Sequence, residues 1–248
     1  IGMIGMGVVG GNTAQVFSKV HKIFPYDKYK SPYNSPERMP ELARSSEVVF
    51  LCVPTPMRPS GEIDYSPMQN SLEMLAETSK NVGRNPKDLL VTIRSTAVSG
   101  TTDDFAKKFP FRFAFNPEFL RERHALEDML HTNRVILGVE DEGSKDKLLR
   151  VYKPLFPEAR ILFYDRKTSE MIKYAANILL FMQVMAANEV YQVCKALGID
   201  YDQVKDAVLL DDRIGRNIEV PGPDGDYGAG GKCFPKDVVA LIGRAKQL

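Results

Sequence analysis

Near the end of the chain, the stretch GAGGKCFPKD at residues 228–237 sets one thiol, Cys233, behind a glycine run and between Lys232 and Lys236. The thiolate, not the thiol, is the nucleophile, and at a free-cysteine pKa of about 8.5 only a few per cent is ionised at neutral pH. Flanking positive charge stabilises the thiolate, and so does a helix N-terminus. Pro235 suits the first turn of a helix, which places Cys233 just ahead of one. The chemistry on offer is covalent addition of sulfur to an electrophilic carbon. Cys52 and Cys194 lie instead in apolar strand-like and helix-like runs, and both read as small buried hydrophobes.

A second constellation is Gly5, Gly7 and Gly10, a G-x-G-x-x-G between a strand-like run and a helical one. The first glycine permits a tight turn, the second lets backbone approach a pyrophosphate, and the third allows close helix–strand packing. Asp27 closes the next strand-like run. A carboxylate there accepts hydrogen bonds from ribose hydroxyls and repels a 2′-phosphate, which favours NAD over NADP, although Lys28 beside it weakens that preference. The same glycines also fit a flavin or nucleotide-sugar site, or packing alone.

Other polar groups stand where packing does not call for them. Ser95 and Thr96 directly follow a strand-like run, at the end where open parallel sheets bind ligands. Glu118 and Glu122 are four apart in NPEFLRE, so a helical turn would put both on one face. Lys173 and Asn177 are likewise four apart, on an otherwise apolar helix. Each pair has an ordinary reading as a solvated surface pair.

The elements that must position these groups alternate. Strand-like runs fall at 1–4, 22–26, 47–53, 88–93, 111–115, 134–139 and 160–164. Helical patterns fall between them, at 66–81, 101–108 and 144–155, and the Pro-, Ser- and Tyr-rich segment 29–40 reads as loop with room for a short helix. From residue 167 strand signals stop, and one long helix runs to about 197. The fold class is therefore α/β: a doubly wound, Rossmann-like parallel sheet over residues 1–165, followed by an all-helical domain with a long central helix over 166–248. The long helix is apolar round most of its circumference, as a helix buried on more than one side is, and a subunit interface would account for it.

Bulk properties exclude several classes. A net charge of +1 without polybasic runs gives no nucleic-acid or membrane surface. Three cysteines make no disulfide framework, and His21, His124 and His131 are far from the thiols, so no metal site is expected. Free thiols without a signal peptide point to a reducing, cytoplasmic setting. The apolar stretch 178–193 is interrupted by Gln183, Asn188 and Glu189, so no membrane span is expected. The chain starts at Ile1 in an already strand-like run, so little is expected to precede it. The helix at 238–248 stops without a cap, as it would if more chain followed.

With these residues in view, the chain resembles the UDP-glucose/GDP-mannose dehydrogenases. The likeness runs nearly end to end through GMGVVG, CVPTP, RSTAVSGTT, FNPEFLRERHALED, EMIKYAANILL, DDRIG and PGPDGDYGAGGKCFPKD, in that order. It implies oxidation of the C6 alcohol of a nucleotide sugar, UDP-glucose in first place, to the carboxylate with two NAD in turn. An aldehyde has no hydroxyl from which hydride leaves easily, so Cys233 would form a thiohemiacetal and then a thioester. By the same resemblance Lys173 and Asn177 would donate hydrogen bonds to the developing oxyanion. Thr96 and Asp237 would position a water. Glu122 would orient groups for thioester hydrolysis, with Glu118 acting through water. Gly5, Gly7, Val8, Val9, Gly10, Asp27, Val53, Pro54, Thr55, Ser95, Thr96 and Glu122 would contact the cofactor. Glu118, Phe119, Leu120, Arg121, Glu122, Lys173, Asn177 and Gly230 would contact the substrate, and Arg213 would reach a phosphate in the other subunit of a homodimer built on the long helix.

Three departures from the family pattern stand out. Val8 and Ala229 replace aromatic residues, and these 248 residues stop short of the third Rossmann-like domain that the family pattern would lead one to expect after the central helix. Two other readings keep the fold: a single-step β-hydroxyacid-type dehydrogenase using Lys173, and a truncated NAD-binding dimer with a regulatory or scaffolding role. The complete GGKCFPKD block counts against the first. Retention of Cys233, Lys173, Asn177, Thr96 and Asp237 together counts against the second.

Overall fold

A computed structural model describes residues 1–223, 225–230 and 234–246, with every side chain among them except that of Glu122. Cys233 lies outside the described residues, together with Gly231 and Lys232.

Seven short strands form β1 (Gly2–Ile4), β2 (Phe24–Tyr26), β3 (Val48–Leu51), β4 (Leu90–Ile93), β5 (Arg112–Phe115), β6 (Arg134–Gly138) and β7 (Arg160–Tyr164). They make one sheet in the order β2-β1-β3-β4-β5-β6-β7. Every residue of β3 and β4 is buried, as continuous apolar strands covered on both faces must be. β1 has β2 on one side and β3 on the other, so successive crossovers leave it in opposite directions. That reversal opens a crevice at the carboxyl ends of β1 and β3, where ligands of doubly wound sheets bind.

The helices among the described residues are α1 (Val8–Phe17), α2 (Arg38–Ser45), α3 (Ser66–Asn81), α4 (Thr101–Lys108), α5 (Ala125–Leu130), α6 (Glu142–Tyr152), α7 (Arg166–Leu197), α8 (Tyr201–Val208) and α9 (Phe234–Ala245). α3 shows the rule: Pro67 stands in its first turn, and Met68, Leu72 and Leu75 form the stripe it buries. One sheet face packs Leu42, Leu72, Leu75 and Phe105. The other packs Phe17, Met129, Leu148 and Tyr152, where the Phe17 ring meets Phe50 and Tyr152 edge-on at 5.3 and 5.4 Å between centroids.

Three expectations change. The sheet is not wholly parallel: β6 meets β5 antiparallel, through the single pair Phe115–Gly138. A parallel neighbour needs a crossover helix over the sheet; the connection after β5 instead sends α5 against α1. α6 begins and ends earlier than the expected 144–155. Asp141 caps it, accepting the Ser144 N–H at 2.9 Å, and Pro154, with no N–H to donate, stops it. Residues 116–121 form neither helix nor strand, so Glu118 and Glu122 do not share a helical face. Within one chain Leu179 and Leu197 of the long helix are 66% and 68% exposed.

The chain divides into two units, Ile1–Arg58 with Ile63–Lys173, and Pro59–Glu62 with Tyr174–Leu248. The sheet lies in the first. The second has its own small core of Ala187, Cys194, Tyr201 and Val220, with the Tyr201 hydroxyl donating to the Ile218 carbonyl at 2.8 Å.

Gly138 ends β6 where α7 begins. A Cβ there would lie 2.8 Å from Ser169 Oγ and 2.9 Å from Arg166 Cα. Gly138→Ala should therefore cost about 1–3 kcal/mol through overpacking, seen as a lower urea midpoint at unchanged slope.

Candidate active site

The glycine loop leaves β1 and enters α1. Gly5 has φ +90°, and a Cβ on Gly10 would stand 1.9 Å from the Gly5 carbonyl oxygen, so both positions exclude side chains. A Cβ on Gly7 would meet nothing within 4 Å, which leaves open space above the loop. Asp27 ties the loop to the end of β2. Its Oδ2 accepts the Met6 N–H at 2.7 Å, and its Oδ1 accepts the Tyr29 and Lys30 N–H groups at 2.9 and 3.0 Å. Lys30 Nζ donates to the Met6 carbonyl at 2.9 Å, so the Met6 residue is held at both its amide and its carbonyl. Burial raises the Asp27 carboxyl, but the three backbone donors and Lys30 outweigh it and hold the group below the usual carboxylate range. A carboxylate has about four acceptor positions, so Oδ2 keeps one for a ribose hydroxyl.

A cavity of about 530 Å³ opens beside this loop. Of the expected cofactor residues, Gly5, Gly7, Val8, Val9, Asp27, Val53 and Pro54 line it, and α3 closes it with Asn70 and Met74. Its size and largely apolar wall suit a nucleoside. Open backbone over the loop, a spare carboxylate acceptor and this cavity together fit a dinucleotide. Gly10 and Thr55 do not line the cavity. Ser95 is buried, and its hydroxyl donates to the Val53 carbonyl at 2.7 Å, holding the cavity wall to the end of β4. Cys52 is buried as expected, and burial pushes its thiol up to about 12, which leaves it inert.

Lys173 and Glu118 meet in the first unit. The Lys173 side chain is 6% exposed, and its Nζ donates to Glu118 Oε1 at 2.9 Å and to the Glu118 carbonyl at 2.6 Å. The Phe119 ring covers the ammonium at 5.5 Å. Two of its three N–H donors are thus committed. Burial raises the Glu118 carboxyl, yet Lys173 and the Leu120 N–H, donating to Oε2 at 2.7 Å, outweigh it and hold the group below its usual range. Thr96 is half-buried in the turn after β4. Arg121 is exposed and forked onto Asp128, with Nη2–Oδ1 at 2.6 Å. The side chain of Glu122 lies outside the described residues.

In the second unit the Asn177 amide donates to Asp237 Oδ2 at 2.6 Å. Both are buried, Asp237 at 1% exposure, with Lys236 Nζ 2.8 Å from its Oδ1. Arg213 is exposed and paired with Asp211 at 2.5 Å. Gly230 is exposed, and the start of its loop is anchored by the Gly228 N–H donating to Asn188 Oδ1 at 2.8 Å. Sequence reasoning missed Asn188 and Glu170 as anchors. The signal was there, since both are polar positions on a mostly apolar helix. Among the described residues no group of three or more His, Cys, Asp or Glu could hold a metal, and no helix is long and apolar enough to cross a membrane.

The doubly wound sheet, glycine loop and terminal aspartate are those of a dinucleotide-binding domain. Comparison narrows this. Residues 27–156 match the NAD-binding domain of the UDP-glucose/GDP-mannose dehydrogenase family, and residues 167–248 match its central domain. The chain belongs to this family. It is 36% identical over 220 residues to the UDP-glucose 6-dehydrogenase of Rickettsia felis, covering 86% of this chain and 46% of that protein. With the Rickettsia prowazekii UDP-glucose 6-dehydrogenase it shares 37% over 204 residues, covering 80% and 45%. It thus spans under half the length of these curated relatives. Among solved structures, a UDP-glucose dehydrogenase from Pyrobaculum islandicum superposes with a TM-score of 0.82 at 30% identity, over 99% of this chain and 63% of that one. A GDP-mannose dehydrogenase from Pseudomonas aeruginosa gives 0.73 at 27%, over 99% and 64%.

The Glu118 shift carries a sign. Unfolded, the carboxyl titrates near 4.5, and folded it titrates lower. Its stabilisation is present above the unfolded value and is lost as pH falls through the folded one. Glu118→Gln should flatten this acid-side loss in urea melts taken from pH 3 to 7. It should also cost about 3–5 kcal/mol at neutral pH, because Lys173 is left buried without its counter-charge.

Proposed function

We propose that this chain is the catalytic portion of an NAD-dependent dehydrogenase that oxidises the C6 alcohol of a nucleotide sugar, UDP-glucose in first place, to the carboxylate. The observation that carries the reading is the Lys173 ammonium, desolvated, held by Glu118 and with a donor to spare, in a chain of this family. The names of these relatives support the substrate class.

NAD, when bound, supplies the hydride acceptor for each of two oxidations. The 5–10 loop would bind its pyrophosphate through backbone N–H groups at the start of α1, and Asp27 would take a ribose hydroxyl. Lys173 and Asn177 donate to the C6 oxygen as charge develops there, where loss of one donor typically costs about 10²–10³ in rate. Thr96 and Asp237 hold the water that takes the alcohol proton. The first oxidation removes hydride from C6 and leaves the aldehyde. Cys233 sulfur then adds to that carbon, and its proton passes to the new hydroxyl, giving a thiohemiacetal. Loss of a second hydride from carbon and of the hydroxyl proton to water gives the thioester. Glu122 orients a further water that cleaves the carbon–sulfur bond, with Glu118 acting through water, releasing the acid and regenerating the thiol.

Phe119, Leu120 and Arg121 would run along the nucleotide, and the loop containing Gly230 would cover its pyrophosphate. A homodimer through α7 fits the exposed Leu179, Met182, Val193 and Leu197 on that helix, and Arg213 would then serve the other subunit's phosphate.

The wild-type protein should release two NADH per sugar, and Cys233→Ser should lose the second oxidation, both read by absorbance against sugar consumed. One NADH per sugar with unchanged Cys233→Ser turnover would sink the reading in favour of a single-step dehydrogenase. NAD binding without any nucleotide-sugar binding, by calorimetry, would favour the scaffold instead. Asp27→Asn should weaken NAD binding by about 10–100-fold and narrow its margin over NADP, since hydrogen bonds to a charged group are worth about 1.5–3 kcal/mol.

A further inference from the structure

Glu170 is a carboxylate with no place in the steps above, yet it is wholly buried. It stands on α7, three residues before Lys173. Its Oε2 accepts the Gly100 N–H at 2.6 Å, and its Oε1 accepts both the N–H and the hydroxyl of Thr102, at 2.8 and 2.6 Å. Gly100 is the N-cap of α4, in a left-handed conformation, and no side chain of its own caps the helix. Glu170 therefore caps α4 from another helix. Two further ties bind the same pair of segments: Ser99 Oγ donates to the Lys167 carbonyl at 3.1 Å, and Arg166 Nε to Asp103 Oδ1 at 2.7 Å.

A local Ser, Thr or Asp at the N-cap would satisfy α4 without burying a charge. Here burial pushes the Glu170 carboxyl up to about 7, against the three donors that favour its ionised form. An arrangement this costly is hard to explain as a cap alone. What it joins is telling. On one side is the turn 94–100, which carries Thr96. On the other is the α7 turn that carries Lys173.

We propose that Glu170 is a positioning residue, whose bonds to Gly100 and Thr102 hold the Thr96 turn and the Lys173 turn in fixed register. The proposal rests on the reading of Lys173 as the oxyanion donor. Glu170 need not touch substrate or cofactor. It acts through the chain from the α4 N-cap Gly100 back to Thr96 on one side and the helical rise of α7 on the other.

Glu170→Gln tests this at nearly constant volume. The amide keeps one acceptor oxygen, so Gly100 or Thr102 loses its partner. Thr102→Val removes only the hydroxyl donor and approaches the same contact from the other side. Expected in Glu170→Gln are faster amide exchange at Gly100 or Thr102, by about tenfold or more, and increased acetylation of the Lys173 amine by competitive labelling read by mass spectrometry. With nucleotide sugar and NAD, kcat should fall by about 10–100-fold while KM stays within about threefold, with partial recovery in Glu170→Asp. NADH affinity by fluorescence should stay within about threefold of the wild type, since the glycine loop, Asp27 and the cavity beside them keep their contacts. Faster exchange with wild-type Lys173 labelling and wild-type kcat would overturn the proposal and leave Glu170 a cap. Unchanged labelling in both Glu170→Gln and Thr102→Val would overturn it as well. A wild-type protein that makes no NADH while Lys173 labelling still responds to Glu170→Gln would sink the functional reading and leave the positioning role standing.

Discussion

An ammonium taken out of water must meet a carboxylate, and that constraint organises the unit around Lys173. Removing one partner of a buried ion pair typically costs about 3–5 kcal/mol, so Lys173 and Glu118 are placed together or not at all. Their meeting goes with the lack of a helix at residues 116–121 after β5. A helical turn there would carry the Glu118 backbone carbonyl and carboxylate elsewhere, and both accept from Lys173. The segment is anchored at its start by buried Asn116, which donates to the Ile136 carbonyl at 2.8 Å and accepts from Arg94 and Tyr152. It is covered by Phe119, whose ring lies under both Lys173 and Arg134.

The same device recurs. Asp27 joins the glycine loop to the segment after β2, Glu170 joins α4 to α7, and Asp237 holds Asn177 and Lys236. Asp27 and Glu170 each close several backbone or side-chain donors at the end of an element, while Asp237 accepts one amide and is ion-paired with one ammonium. The effects on ionisation differ, and the balance of terms says why. Glu118 faces a full positive charge, and its pKa falls. Glu170 faces neutral donors with Asp103 nearby, and burial wins. Two buried carboxylates on one unit are thus pushed in opposite directions by what stands opposite them, not by depth alone.

Much of the frame was legible in the chain. Continuous apolar runs marked β3 and β4, because strands covered on both faces carry no polar alternation. The helices at 66–81 and 101–108 fall where their periodicity puts them. Pro154 could have shortened the expected helix at 144–155, since its missing N–H is a local fact. The direction of β6 had no local signal, because it depends on where the connection after β5 packs. Long-range partners were equally hidden. Nothing in NPEFLRE says that Glu118 waits for a lysine from α7, and nothing in EMIKYAAN says that Glu170 caps α4.

By itself the sequence determined the alternation of elements, the glycine turn, the acidic end of β2 and the types of residue available for chemistry. These depend on backbone sterics, side-chain period and composition, which act over a few residues. Only the tertiary structure decided which carboxylate meets which donor, which acids are pushed up or down, and which side of the long helix is left bare. Those outcomes depend on distance and on exclusion of water, and neither exists until segments far apart in the chain are packed together.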